Sequence, residues 1–186
     1  MCQRYFVFLS DFITSFAPVF QHIMTKAEKL AEKLALQPHP EGGWYKELYR
    51  SSLKINSNYL PEWFTEGDKN LLTSIYFLLP EGHFSGLHKI ASDEMWYWHE
   101  GGPIEIWILS PNGQFEIKHV GPDHDYFLWI PAGYWFGSRP KPGTPYALMS
   151  CAVSPGFDFR DFQMATHDFI QRQFPDIYPL IQPIIR

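Results

Sequence analysis

Residues 82–102 read GHFSGLHKIASDEMWYWHEGG. His88 stands six positions before Glu94 inside a dense aromatic run, and glycines open and close the stretch. SGLHKI and DEMWYWHEG are rich in branched and aromatic residues, which predicts two short strands. Strand side chains alternate between faces. His88 therefore shares a face with Ile90, and Glu94 shares one with Trp96 and Trp98. With both faces turned inward, the interior holds one imidazole, one carboxyl group and a collar of aromatic rings.

The same texture extends on both sides. GGWYKELYRS, NLLTSIYFLLP, PIEIWILS, QFEIKHV, YFLWIP and YALMSCAV are short apolar runs punctuated by glycine, proline or asparagine. This spacing is that of an all-β sandwich or barrel. Asn112-Gly113 predicts a tight hairpin turn, with positive φ angles, between PIEIWILS and QFEIKHV. No βαβ alternation appears, which excludes a Rossmann-type fold. Thr25 with Glu28 forms a capping box ahead of an amphipathic helix over about 26–36, stopped by Pro38 and Pro40. Near the end of the chain, Thr166 caps a second short helix in THDFIQRQF that Pro175 terminates, with an extended finish forced by Pro179 and Pro183. The Gly42-Gly43 pair in the HPEGG box allows a turn into the first long strand. His39 and Glu41, on that turn, are placed to close over a barrel mouth.

The spacing Gly82-x5-His88-x-Ile90-x3-Glu94-x6-Gly101 resembles the first cupin motif, Gly-x5-His-x-His-x3-Glu-x6-Gly. Pro131-Ala-Gly133-Tyr-Trp-Phe136 resembles the second, Pro-x-Gly-x2-His, with Phe136 in the histidine place. QPHPEGGWYKELYRS, TSIYFLL, SDEMW, PAGYW and PGFDFRDF together resemble the small cupin family called domain of unknown function 985, or cupin-5. The resemblance implies a single double-stranded β-helix, a jelly-roll barrel over residues 24–186, and a homodimer. It implies no reaction.

Metal-bearing cupins use three histidines and one glutamate. Here Ile90 and Phe136 leave His88 and Glu94 as the two remaining ligands, fewer than a transition metal takes from protein. His39, His83, His99 or His119 is needed to complete such a site. The metal-free alternative pairs His88 as base with Glu94 as orienting partner or acid. Tyr134 or Tyr76 then donates a proton on the other side. This is similar to the cupin-like epimerases of nucleotide-linked deoxysugars, which use a His–Asp pair and a Tyr without metal. Trp96, Trp98 and Phe136 offer flat surfaces for a ligand, Ser74 and Ser85 hydroxyls, and His39 and Glu41 contacts from the mouth. Cys151 reads as a buried inert thiol.

The net charge of −5 and the lack of a basic cluster exclude a nucleic-acid binder. Two cysteines make no disulfide framework and suit a cytoplasmic location. Residues 1–23 carry Arg4 ahead of an apolar run, as a signal peptide does. Asp11 interrupts that run, no small-x-small cleavage site follows, and it is too short to span a bilayer. The segment reads as a weakly ordered extension ahead of Met24. The function expected from all this is metal-independent isomerase, epimerase or lyase chemistry on a polar, sugar-like small molecule. The alternatives are a metal-dependent oxygenase or isomerase holding a divalent transition metal through His88 and Glu94, and a non-catalytic ligand-binding or sensing cupin.

Overall fold

The computed structural model describes residues 24–186. The extension expected at residues 1–23 lies outside the described residues. Helix α1 (Lys26–Leu34) opens with the capping box: the Glu28 amide donates to the Thr25 hydroxyl, and the Thr25 amide to the Glu28 carboxylate at 2.7 Å. It ends earlier than expected, because Ala35 takes a left-handed conformation (φ 54) before either proline is reached.

The strands follow as β1 (Gln37–Pro38), β2 (Trp44–Arg50), β3 (Lys54–Ile55), β4 (Lys69–Asn70), β5 (Thr73–Pro80), β6 (Ser85–Ile90) and β7 (Asp93–Gly101). After them come β8 (Ile104–Leu109), β9 (Phe115–Val120), β10 (Phe127–Ile130), β11 (Trp135–Pro140), β12 (Tyr146–Ser154) and β13 (Phe162–Met164). Helices α2 (His167–Gln173) and α3 (Tyr178–Ile181) close the chain. Two antiparallel sheets face each other, in the orders β1-β2-β5-β12-β7-β10 and β13-β6-β11-β8-β9. This is the all-β jelly roll that the short, punctuated runs predict.

The core lies between the sheets. Phe77, Leu79, Ile90, Trp96, Ile106, Phe136 and Met149 meet there. Each such side chain contributes ~1.5–3 kcal/mol by leaving water. The helices cover part of each outer face. Ala27 and Ala31 of α1 sit on Leu78, Tyr146 and Leu148, while Ile170, Ile181 and Ile184 sit on Leu87, Trp107 and Trp135. No described helix is long and apolar enough to cross a membrane.

Two local expectations need correction. The β8–β9 hairpin closes over Pro111–Gly113, with Ser110 bonded to Gln114 at 2.9 Å, and only Gly113 takes a positive φ (84). Proline at the first loop position fixes a negative φ, so the loop has the three-residue form rather than the two-residue one. The C-terminus is helical, not extended. Pro179 and Pro183 each sit in the first turn of a helical segment, where the missing N–H costs nothing.

Candidate functional site

A cavity of about 300 Å³ opens at one end of the barrel. Its wall includes His39, Glu41, His88, Glu94 and Cys151, with Tyr45, Glu47, Arg50, Phe157 and Phe159 nearer its mouth. Strand alternation sets two of these: His88 enters from β6 and Glu94 from β7, as the sequence predicts. His39 and Glu41 come from the β1–β2 turn. That turn is made by Gly42 (φ 118) and Gly43 (φ 69), and the His39 amide donates to the Gly43 carbonyl at 3.1 Å. A Cβ on Gly42 would lie 2.2 Å from the Phe84 carbonyl, so only glycine lets the turn press this close. The turn and the contact with the pocket are therefore one feature.

His88 is buried and held on both nitrogens. Nδ1 lies 2.7 Å from the Gly86 carbonyl and so donates to it. Nε2 lies 3.1 Å from Glu41 Oε2. The second contact is favourable only with a proton between the two groups. Burial lowers His88 to about 4 and pushes Glu41 up, so that proton resides on the carboxyl group, which donates to a neutral imidazole. His39 Nδ1 accepts from the Glu41 amide at 3.3 Å and lies 3.7 Å from Glu41 Oε2. Burial also lowers His39, more than Glu41 raises it.

Glu94 is 7% exposed and makes no ion pair with His88. Burial pushes its carboxyl up to about 8, and the nearby Glu41 adds to the rise. The Cys151 thiol and Trp96 indole oppose that rise more weakly. Glu94 is therefore a protonated acid at neutral pH. Cys151 is raised in turn by burial and by Glu94, which keeps it a thiol, as expected.

The comparisons with known proteins bear on this architecture. A match to the Cupin superfamily (DUF985) family covers residues 28–165. The chain belongs to that family. A crystal structure of a Shewanella oneidensis protein shares 32% identity, covering 88% of this chain and 99% of its own, with a TM-score of 0.76. A hypothetical protein from Leishmania major shares 30%, covering 87% and 99%, with a TM-score of 0.78. Oxalate decarboxylase from Bacillus subtilis is similar in fold alone, at 19% identity and a TM-score of 0.50, and this chain spans only 36% of it. No protein of curated function matches.

Within this DUF985 cupin the predicted residues fall into three groups. His88, Glu94, His39, Glu41 and Ser74 line the cavity. Trp96, Phe136 and Ser85 stand behind them. Phe136 packs on the His88 ring at 4.2 Å, Trp96 packs on Phe136 at 6.4 Å, and the Ser85 hydroxyl faces Glu41. Tyr134, Tyr76 and Trp98 are not among the lining residues. Tyr134 follows a turn in which the Gly133 amide is bonded to the Ile90 carbonyl, and it packs on the core. Tyr76 packs on His99 on the outer sheet face beside α1. Trp98 stacks on Tyr126 and donates to the Gly102 carbonyl at 3.2 Å. The carboxyl partner of His88 is Glu41, not Glu94. The tyrosine at the cavity is Tyr45, which sequence reasoning passed over, as it did Glu47, Phe157 and Phe159.

The metal site common among cupins is poorly matched. Ile90 and Phe136 supply no donor, and Glu41 already engages the one free nitrogen of His88. Among the described residues, no three His, Cys, Asp or Glu side chains are arranged to hold a metal ion.

Proposed function

We propose that this cupin moves protons on a small polar molecule held in the cavity, as a metal-independent isomerase, epimerase or lyase. One observation carries the proposal: two carboxyl groups and two imidazoles, all shielded from water, converge on a single cavity, and one of the acids, Glu94, stays protonated to about pH 8. Such perturbed, convergent groups in a cleft mark proton-transfer sites.

In the proposed reaction, the Glu41–His88 pair acts as the base. The free oxygen of the Glu41 carboxyl group takes a proton from carbon beside a carbonyl, and its other oxygen passes its own proton to His88 Nε2. Glu94 gives its proton to the carbonyl oxygen. The products are an enediol, an imidazolium and the Glu94 carboxylate. Return of the proton to a different carbon gives an isomer, and return to the other face gives an epimer. Tyr45 stands at the cavity as a second proton donor. The new imidazolium donates to both the Gly86 carbonyl and Glu41.

The test is deuterium wash-in from heavy water into aldoses, ketoses and their uronic acids, followed by proton NMR with chelator present. Wild type is expected to label the carbon beside the carbonyl, and His88→Ala to slow labelling by about 100-fold or more. Ligands that bind without labelling would leave a binding or sensing cupin. Labelling that requires added manganese or iron would establish the metal-dependent alternative.

A further inference from the structure

Glu47 and Arg50 stand at the cavity wall and have no part in the proton transfer. Three positions apart on β2, they would point to opposite faces of a regular strand. The pairing of β2 with β5 shifts register between Glu47 and Tyr49, and this bulge brings both to the cavity.

Arg50 is the one Lys or Arg among the described lining residues. Its guanidinium is already engaged. Nε donates to Glu47 Oε1 at 3.0 Å and Nη2 to Glu47 Oε2 at 2.7 Å, a bidentate fork. Nη1 donates to Asn70 Oδ1 at 3.0 Å and to the Phe157 carbonyl at 3.1 Å. Asn70 is itself pinned by a 2.7 Å bond from Nδ2 to the Ser51 carbonyl. A ligand carboxylate or phosphate thus finds the fork filled and meets the Glu47 charge beside it.

Deeper in, no lysine or arginine lines the wall, and the nearest cation there, Arg186, stands behind the Gly42 turn beside Glu41 rather than in the cavity. Burial lowers both His39 and His88, which keeps the imidazoles neutral. An unpaired anion buried there is strongly disfavoured. Hydroxyl groups suit the same wall, because the protonated Glu94 carboxyl group both donates and accepts. Thr73 and Ser74 add hydroxyls, and Ile75, Ile90 and Val153 add apolar surface for C–H faces. The volume, about 300 Å³, is at the small end of ligand pockets and suits one sugar unit rather than a nucleotide-linked sugar.

Resting on the proton-transfer function proposed above, we propose that the substrate is a neutral, hydroxyl-rich molecule of monosaccharide size, and that Glu47, by occupying the Arg50 guanidinium, turns carboxylate-bearing ligands away. Arg50 freed from Glu47 becomes a receptor for a carboxylate.

Binding is measured by titration calorimetry and saturation-transfer NMR. The probes are D-glucose, D-galactose, D-xylose and D-fructose, with D-glucuronate and D-galacturonate as charged counterparts. Wild type is expected to bind at least one neutral sugar and its uronate about 10-fold or more weakly. Glu47→Gln, with its fold checked by circular dichroism, is expected to raise the uronate-to-neutral affinity ratio by about 10- to 100-fold, the worth of one charge-assisted contact. Adding Arg50→Met to Glu47→Gln should abolish that rise. Equal binding of sugar and uronate by wild type, an unchanged ratio in Glu47→Gln, or no neutral sugar bound would each overturn the proposal. Deuterium labelling separates the two levels. Neutral sugars bound without labelling sink the proton transfer and leave the ligand class standing. Uronates bound and labelled do the reverse.

Discussion

Glutamine in place of Glu94 is expected to slow proton exchange into substrate by about 100- to 10,000-fold, the usual worth of one positioned acid. The amide keeps the shape and can still donate a hydrogen bond, but it has no proton to give. The same variant should change how stability depends on pH. Glu94 ordinarily titrates at 4.5 and is pushed to about 8 in the fold. Between those values the folded chain holds a proton that the unfolded chain has released. Stability from this group therefore falls by ~1.4 kcal/mol per pH unit as pH rises, and the loss is complete above the folded value. His88 works the other way, from 6.5 unfolded to about 4 folded, so its contribution rises across that lower window. The two slopes cancel where they overlap. What remains is a loss of about 2 kcal/mol between pH 6.5 and 8, or about 4–8 °C in melting temperature. Glu41, also raised by burial, works in the same direction as Glu94. Glu94→Gln should flatten most of this decline. A wild-type melting temperature that holds level from pH 6.5 to 8.5 would show that Glu94 is not carried into the fold as an acid.

Lys69→Met is expected to destabilise the chain by about 3–5 kcal/mol, the cost of leaving the buried Asp161 carboxylate without its cation, while Asp158 keeps its pair with Arg160. Lys69 is 1% exposed. Its ammonium lies 2.6 Å from Asp161, 3.3 Å from Asp158 and 2.8 Å from the Thr65 hydroxyl. Asp161 also accepts from the Thr65 amide at 2.7 Å. Phe157 and Phe159, on either side of Asp158, form part of the cavity wall. The ion cluster thus fastens the segment that covers the cavity to β4. Calorimetric melting should show a drop of roughly 6–20 °C in Lys69→Met. Adding Asp161→Asn should recover much of it, since the uncompensated charge is then gone. A loss below about 1 kcal/mol would mean that water already reaches the acids and does the work of Lys69.

The barrel and half of the site were legible in the sequence for a local reason. His88, Ile90, Glu94 and Phe136 lie on strands whose alternation decides which way they face, and the glycines around them mark where those strands end. The partner of His88 was not legible in the same way. Glu41 reaches it because β1 and β2 fold the HPEGG turn over the barrel end, and pairing between distant segments leaves no periodicity to read. Trp98 shows a second limit. It shares a face with Glu94, but four residues of strand place it about 13 Å further along, away from the cavity. Tyr134 likewise packs on the core without reaching the cavity wall. Glu47 and Arg50 show a third: a bulge overrides alternation, and a bulge without glycine carries no sequence signal.

The fold holds Glu94 as a neutral acid at physiological pH. Infrared difference spectroscopy, wild type against Glu94→Gln, tests it without a substrate. Wild type is expected to show a protonated-carboxyl carbonyl band at pH 6.5, missing from Glu94→Gln and lost with a midpoint near 8. A difference spectrum showing only carboxylate bands at pH 6.5 would contradict it, because Glu94 would then be ionised and have no proton to donate.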